Sequence, residues 1–149
     1  MSQYVNFYIS DGEQFISLDD FSRSTEIYKV MTDFGYASDG KVRQVSPEEL
    51  RTAADAILGK IKTMKDSISH SKRLIKSIQA CFNVDLNERL DAICDFEDQI
   101  DDLRSAIESY DAEADVLRVY ANIASNADYH GNALYVGVEI PEPTAADII

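Results

Sequence analysis

The sequence has no tryptophan, and only two histidines, two cysteines and three prolines occur among its 149 residues. The histidines and cysteines are far apart, so none of them forms a pair at zinc-binding spacing. There is also no glycine-rich phosphate loop and no nucleophile elbow. Because no motif indicates catalysis, we expect a protein that is not an enzyme and that needs no cofactor or metal, although an enzyme of unrecognised type stays open as a third hypothesis.

Long apolar runs are missing too. No segment approaches the roughly 18 apolar residues that a membrane-spanning helix needs, and no charged-then-apolar leader opens the sequence. These absences predict a protein of the cytoplasm, or of the host cytoplasm if it is encoded by a phage.

Basic residues are scarce, with 14 Lys and Arg against 27 Asp and Glu, a net charge of −13. A chain of this charge is repelled by nucleic acids and anionic lipids and is attracted to basic protein surfaces. The composition therefore predicts no direct binding of nucleic acid or membrane, and a protein partner that presents a basic surface.

What the sequence does contain is a long helical hairpin over residues 46–127. Ser46 and Glu49 form a capping box around Pro47, which marks the start of the first helix. Apolar residues then recur in steps of three and four, the seam of a coiled coil. This first stripe consists of Leu50, Ala54, Ile57, Ile61, Met64, Ile68, Ser71, Ile75, Ile78 and Phe82.

A second stripe starts after a turn at residues 83–85, where Asp85 caps the second helix. It consists of Leu86, Leu90, Ile93, Phe96, Ile100, Leu103, Ile107, Tyr110, Ala114, Leu117 and Ala121. In an antiparallel hairpin centred on Val84, facing residues have numbers that sum to about 168. That register pairs Ile68 with Ile100, and it leaves Cys81 and Cys94 roughly 10 Å apart along the helix, too far for a disulfide. We expect both to be free thiols, buried or beside the seam.

The two ends of the chain supply β-structure. Residues 4–9 and 14–18 are predicted to form a β-hairpin around the turn Asp11-Gly12. Asp19 and Asp20 offer caps for a short helix that ends near Asp33. The remaining segments are a loop at residues 37–40, an extended stretch through residues 42–45, a last strand at 133–140 and an irregular tail at 141–149.

The predicted fold is therefore α+β: a long antiparallel coiled-coil-like helical hairpin plus a small antiparallel sheet formed from both chain ends and one short helix. A chain of this length predicts a single domain over residues 1–149, with 1–45 as the N-terminal β-hairpin, short helix and extended segment.

One face of the second helix carries regularly spaced carboxylates, and we call it the acidic stripe. It consists of Glu88, Asp91, Asp95, Asp98, Asp101 and Asp102. A partner-binding surface is one interpretation, and a solvated face that balances the basic first helix is the other. A divalent-ion site from these carboxylates is disfavoured, because a straight helix does not wrap a cation.

Three residues of the first helix indicate a further packing surface. Leu58 and Leu74 widen the apolar stripe beyond a two-helix seam. Gly59, which costs about 1 kcal/mol relative to alanine inside a helix, suggests close approach of the Tyr110 ring or of a second hairpin. The surface fits either a homo-oligomer or packing against the chain's own sheet.

We expect a non-enzymatic interaction protein that acts through the acidic helical hairpin and forms a homo-oligomer. The alternative is a nucleic-acid mimic that occupies the basic groove of a nuclease or DNA-binding protein. Size, acidity and the α+β plan are similar to those of many small phage or mobile-element proteins that block host enzymes, and this similarity implies an inhibitor of the anti-defence type.

Overall fold

The computed structural model describes residues 3–149, so the first two residues of the predicted N-terminal segment 1–45 lie outside the described residues. Its elements in chain order are β1 (Tyr4–Ser10), β2 (Phe15–Ser22), α1 (Glu26–Asp33), β3 (Val42–Gln44), α2 (Pro47–Gln79), α3 (Leu86–Asp128), β4 (Ala133–Val138) and a 3-10 helix (Ala145–Asp147). Two long helices that pack together and an antiparallel sheet confirm the predicted α+β fold class.

The chain divides into two compact units, and both long helices contribute residues to each of them. The hairpin unit comprises Leu58–Asp111. The sheet unit comprises the chain through Ile57 and from Ala112 onward, and it contains the sheet, α1, the first residues of α2 and the last turns of α3. That the whole chain is a single domain stays a prediction.

The sheet has the strand order β2-β1-β4-β3, and every neighbouring pair is antiparallel. Its central pair joins the two ends of the chain, since β1 lies against β4 with Phe7 opposite Val136. The predicted β-hairpin and last strand are thus confirmed.

One face of the sheet packs on helices. Val5, Phe7 and Val136 alternate to this face and are fully buried, as expected for a period of two along each strand. From α3, Leu117 is also fully buried, and the Tyr120 ring lies 4.8 Å from the Phe7 ring between centroids. This layer is the main core of the sheet unit.

The opposite face is covered by the C-terminal tail. Tyr8, Val42, Tyr135 and Ile140 form a second buried cluster there, against which Ile148 packs. The tail is held because the Ile149 amide donates to the Val42 carbonyl at 2.9 Å. The predicted tail at 141–149 has one turn of 3-10 helix at Ala145–Asp147, and its Ile148 covers part of this face of the sheet.

The predicted start of the short helix at Asp19 and Asp20 is wrong. Asp19 and Asp20 belong to β2, and α1 begins at Glu26, where the Thr25 hydroxyl accepts a hydrogen bond from the Tyr28 amide at 3.2 Å. Tertiary partners use both aspartates instead: Tyr120 Oη donates to Asp19 at 2.6 Å, and Asn6 Nδ2 donates to Asp20 at 2.8 Å. In this segment β2 pairs with β1, and the capping signals of Asp19 and Asp20 do not start a helix.

The helical hairpin follows its predicted signals closely. The Ser46 Oγ accepts from the Glu49 amide at 3.1 Å, and the Glu49 carboxylate accepts from the Ser46 amide at 3.0 Å, which confirms the capping box. Within the hairpin unit, Ile68 and Ile100 are 9% and 5% exposed, and Ser71 is also buried. These seam positions lie between the helices as predicted.

The end of the seam departs from the prediction. Phe82, Leu86 and Leu90 were expected to be buried across the turn, but they are 85%, 58% and 50% exposed, and Val84 between them is exposed as well. We call these four residues the apolar tip. The turn joins only two helices, so no third element of the described chain covers side chains that close the hairpin.

Candidate partner-binding surfaces of the hairpin unit

The acidic stripe lies wholly on α3 and within the hairpin unit. All of its six carboxylates are exposed, at Glu88, Asp91, Asp95, Asp98, Asp101 and Asp102. Steps of three and four residues keep side chains on neighbouring turns of one helix face. The structure therefore brings together the residues that the sequence predicted as one surface.

The first turn of α3 is held by its own cap. The Asp85 carboxylate accepts hydrogen bonds from the amides of Asn87 and Glu88, at 3.1 and 3.4 Å. This carboxylate satisfies backbone donors that the helix start leaves unpaired. The acidic stripe thus begins on a helix turn with a fixed start.

Charge is strongly divided between the two helices of the hairpin unit. From Leu58 to Phe82 there are six basic side chains against one acidic one, whereas Asp85–Asp111 contains ten acidic side chains against two arginines. No ion pair in the described chain involves Lys62, Lys65, Lys72, Arg73 or Lys76, and the one ion pair of the stripe is the Asp101–Arg104 contact at 3.9 Å within α3. An exposed pair of this length contributes at most about 1 kcal/mol.

A groove between α2 and α3 shows how close the two charges come. Lys72 lines it together with Glu97, Asp101 and Arg104, above the apolar side chains of Ile75 and Ile100, and its volume is about 340 Å³. Lys72 nevertheless forms no ion pair with any residue between 3 and 149. The groove leaves a basic and an acidic edge open to a binding partner.

The apolar tip adjoins the acidic stripe. The Arg89 guanidinium lies 5.9 Å from the centroid of the Phe82 ring, a cation–π distance that is favourable by roughly 0.5–1 kcal/mol at an exposed site. Four exposed large apolar side chains within nine residues form a patch of the kind that marks interaction sites. The sequence pattern predicted Phe82, Leu86 and Leu90 in the seam and Val84 in the turn, so it did not predict an exposed patch. Their position next to a turn was the one signal that could have found it.

The predicted packing surface of α2 is only partly assembled. Leu58 and Leu74 are half-buried, and they lie 16 residues apart, roughly 24 Å along a helix. A Cβ atom built on Gly59 would meet no other atom within 4 Å. The Tyr110 ring is therefore not the reason for a glycine at this position, and close approach by a second hairpin stays a prediction.

Cys81 and Cys94 are both free and exposed. The absence of a disulfide between them was predicted, but burial was not found for either thiol. They lie beside the seam, which was the other predicted position.

The polar groups of the sheet unit serve its own packing. Burial and then the charge of Asp20 raise the pKa of Tyr8 to about 12, and Tyr8 Oη donates a hydrogen bond to the Ile140 carbonyl. Burial raises the pKa of the Glu49 carboxyl, but hydrogen bonds from Ser46 and Arg43 outweigh it and hold that pKa below its usual value. These shifts accompany structural contacts.

One cleft of the sheet unit has a volume of about 480 Å³. The Ser46 hydroxyl that lines it is engaged in the helix cap described above. The cleft is lined by Gln44, Val45, Ser46, Pro47, Glu48, Ala124, Ser125, Asp128, Tyr129, Asn132, Ala133 and Leu134.

Over residues 3–149, no group of three or more His, Cys, Asp or Glu side chains is placed to hold a metal ion. No helix in this range is both long and apolar enough to cross a membrane.

Comparisons of the chain with protein-family models, with curated proteins and with solved structures found no match.

Proposed function

We propose that this is a non-enzymatic binding protein that uses the acidic stripe of its hairpin unit to hold a protein partner with a basic surface, and that it acts as a homo-oligomer. The observation that carries the proposal is the exposure of all six stripe carboxylates on successive turns of one helix. Of the six, only Asp101 has an ion-pair partner in the described chain.

A surface of this kind favours fast and salt-sensitive association. Each exposed pair with a basic partner contributes only about 0.2–1 kcal/mol, but the summed field of one sign attracts an oppositely charged surface and raises the association rate. The adjoining apolar tip is a separate patch of exposed apolar side chains at one end of the stripe.

We propose the cytoplasm as the place of action. Two exposed thiols that are not paired with each other are compatible with a reducing compartment.

The test is affinity capture from an extract of the source cells, with the stripe neutralised in one bait. The variant Asp91→Asn, Asp95→Asn, Asp98→Asn and Asp102→Asn removes four charges from exposed positions outside the seam. We expect it to fold normally and to lose, by orders of magnitude, the partner that the unchanged protein retains. Binding by the unchanged protein should weaken steeply as salt is raised.

A matched control removes four charges from the sheet unit instead, by neutral substitution of exposed Glu13, Asp33, Asp39 and Glu142. It should keep the partner, because only the stripe is the binding surface. Equal retention by all three baits would contradict the proposal, and equal loss from both variants would show that net charge alone attracts the captured proteins.

A second candidate function is mimicry of nucleic acid. Eight exposed carboxylates lie between Asp85 and Asp102, the six of the stripe with Asp85 and Glu97. They cover roughly 26 Å of helix, or about one charge per 3 Å, which is close to the roughly 3.4 Å per charge along one DNA strand. Competition decides between the two functions: duplex DNA added to the capture should displace the partner of a mimic, and should leave another basic partner bound.

A further inference from the structure

Four lysines of α2 each follow a seam residue by one position. Their predecessors are Ile61, Met64, Ser71 and Ile75, and the lysines are Lys62, Lys65, Lys72 and Lys76. All four are exposed, and none of them forms an ion pair with any residue of the described chain. They form one basic line beside the seam.

Four acidic residues of α3 stand in the same relation to the second stripe. They follow Leu90, Phe96, Ile100 and Ile107, and they are Asp91, Glu97, Asp101 and Glu108. All four are exposed. They form one acidic line beside the seam, which Arg104 interrupts between Asp101 and Glu108, one position after Leu103.

The two lines lie on the same side of the hairpin. Two antiparallel helices are related by an approximate twofold axis perpendicular to the plane that contains them. Rotation about this axis exchanges the two helices, but each of the two broad sides of the pair is mapped onto itself. Residues one position after the seam therefore share a side in both helices. The groove that Lys72 lines together with Glu97 and Asp101 shows this arrangement directly.

A hairpin with one basic and one acidic line on the same side is complementary to a copy of itself. If the twofold axis of a dimer runs parallel to the helices, α2 of one copy faces α3 of the other, and every contact occurs twice. In the predicted register of the hairpin, residues whose numbers sum to about 168 lie at the same height along the helices. Each lysine of one copy therefore lies within about two residues of the height of an acidic residue in the other copy. The resulting pairs are Lys76 with Asp91, Lys72 with Glu97, Lys65 with Asp101, and Lys62 with Glu108.

The same axis explains the exposed tip. A twofold axis parallel to the helices keeps each residue level with its own counterpart, so the apolar tips of two copies meet at one end. An antiparallel arrangement would place the two tips at opposite ends of the dimer. Phe82 and Leu86, both more than half exposed in one copy, lie level with their own counterparts only in the parallel arrangement.

From these placements we propose that a second copy of this chain docks on the hairpin unit, in a parallel dimer held by the two charged lines and the apolar tips. The inference rests on the proposed function, since it names a partner of the same unit. It uses the charged lines beside the seam, whereas the basic partner is assigned to the acidic stripe, with which the acidic line shares Asp91 and Asp101.

Charge reversal tests the dimer in the full-length chain. One variant reverses the basic line and carries Lys62→Glu, Lys65→Glu, Lys72→Glu and Lys76→Glu. The other reverses the acidic line and carries Asp91→Lys, Glu97→Lys, Asp101→Lys and Glu108→Lys. Each places like charges against each other, so each alone should be monomeric by sedimentation or light scattering while the unchanged protein is dimeric. An equimolar mixture of the two should restore a dimer that contains one copy of each, because its lines are again complementary.

A matched control reverses four other acids of α3, namely Glu88, Asp95, Asp98 and Asp102, which follow the seam by two positions and lie outside the acidic line. This control should remain dimeric. A monomeric unchanged protein, or two line variants that stay dimeric, would overturn the proposal. Because partner capture by the neutralised stripe is measured separately, a monomer that still loses its partner on stripe neutralisation would overturn the dimer and leave only the partner-binding role of the acidic stripe standing.

A thiol cross-link tests whether the two copies of the dimer are parallel. With both native thiols removed by Cys81→Ser and Cys94→Ser, a single thiol introduced by Asn83→Cys lies at the tip. In a parallel dimer two such thiols are level with each other, and mild oxidation should cross-link the dimer in high yield. A dimer that resists this cross-link would overturn the parallel arrangement.

Discussion

The two units of this protein bury their apolar side chains to very different degrees. In the sheet unit, Phe7, Ile27, Leu117 and Val136 are fully excluded from solvent. In the hairpin unit, the best buried seam positions, such as Ile61 and Ile100, retain about 5% exposure, and Phe82 at the tip is 85% exposed. A two-helix layer covers only one side of each helix, whereas a sheet with helices on one face and a tail on the other covers its residues from several directions.

This difference in burial indicates that stability and interaction surface are divided between the units. A segment with fewer buried contacts opens at lower free energy than a packed core. The hairpin unit also carries most of the separated charge. We expect the sheet unit to set the global stability, and the hairpin unit to supply surfaces for partners.

The largest effect should come from a charge inside the seam. Ile100→Asp places an unpaired carboxylate at a 5% exposed position and should destabilise the hairpin unit by about 3–5 kcal/mol. Ser105→Asp is the matched control, since this position of α3 is exposed and lies outside the seam, and should change stability by less than about 0.5 kcal/mol. Urea unfolding, with amide exchange resolved along α3, measures both. Equal effects would mean that the seam is no better buried than an exposed position of the same helix.

An intermediate effect should come from a methyl group added to the sheet. A Cβ on Gly137 would lie 2.4 Å from the Lys41 carbonyl oxygen and 2.7 Å from Ile140 Cγ2. Backbone cannot yield as a flexible side chain does, so Gly137→Ala should cost about 1–3 kcal/mol in thermal unfolding.

The same change in the hairpin unit should have the opposite sign. Gly59→Ala meets no atom within 4 Å, and alanine in place of glycine stabilises a helix by up to about 1 kcal/mol. A destabilised Gly59→Ala protein would show that another chain approaches this position closely.

A further effect should appear at alkaline pH. The pKa of Tyr8 is raised in the folded state to about 12 from an ordinary value near 10. Its contribution to stability is therefore fully present below pH 10 and is lost as pH rises towards 12, because the unfolded chain releases the phenol proton first. Tyr8→Phe should flatten the loss of stability over this range, as followed by urea unfolding at fixed pH.

Much of the fold was predictable because its signals are local and repeated. The capping box at Ser46 and Glu49 was read from four residues and is present in the structure. The acidic stripe was likewise predicted residue by residue, since a helix turns evenly and its exposed face is fixed once the seam is known. Asp19 and Asp20 were misassigned because their partners, Tyr120 and Asn6, lie 101 and 14 residues away.

The sequence alone thus determined the hairpin, its seam and the division of charge, because each depends on periodicities of three and four residues within one helix. Tertiary structure decided which chain segments cover which faces. It placed the C-terminal tail over Tyr8 and Tyr135, and it left Phe82, Leu86 and Leu90 uncovered. Periodicity marks a side chain as apolar and directed to one side, but burial also requires another segment to reach that side, and the packing of the whole chain decides that.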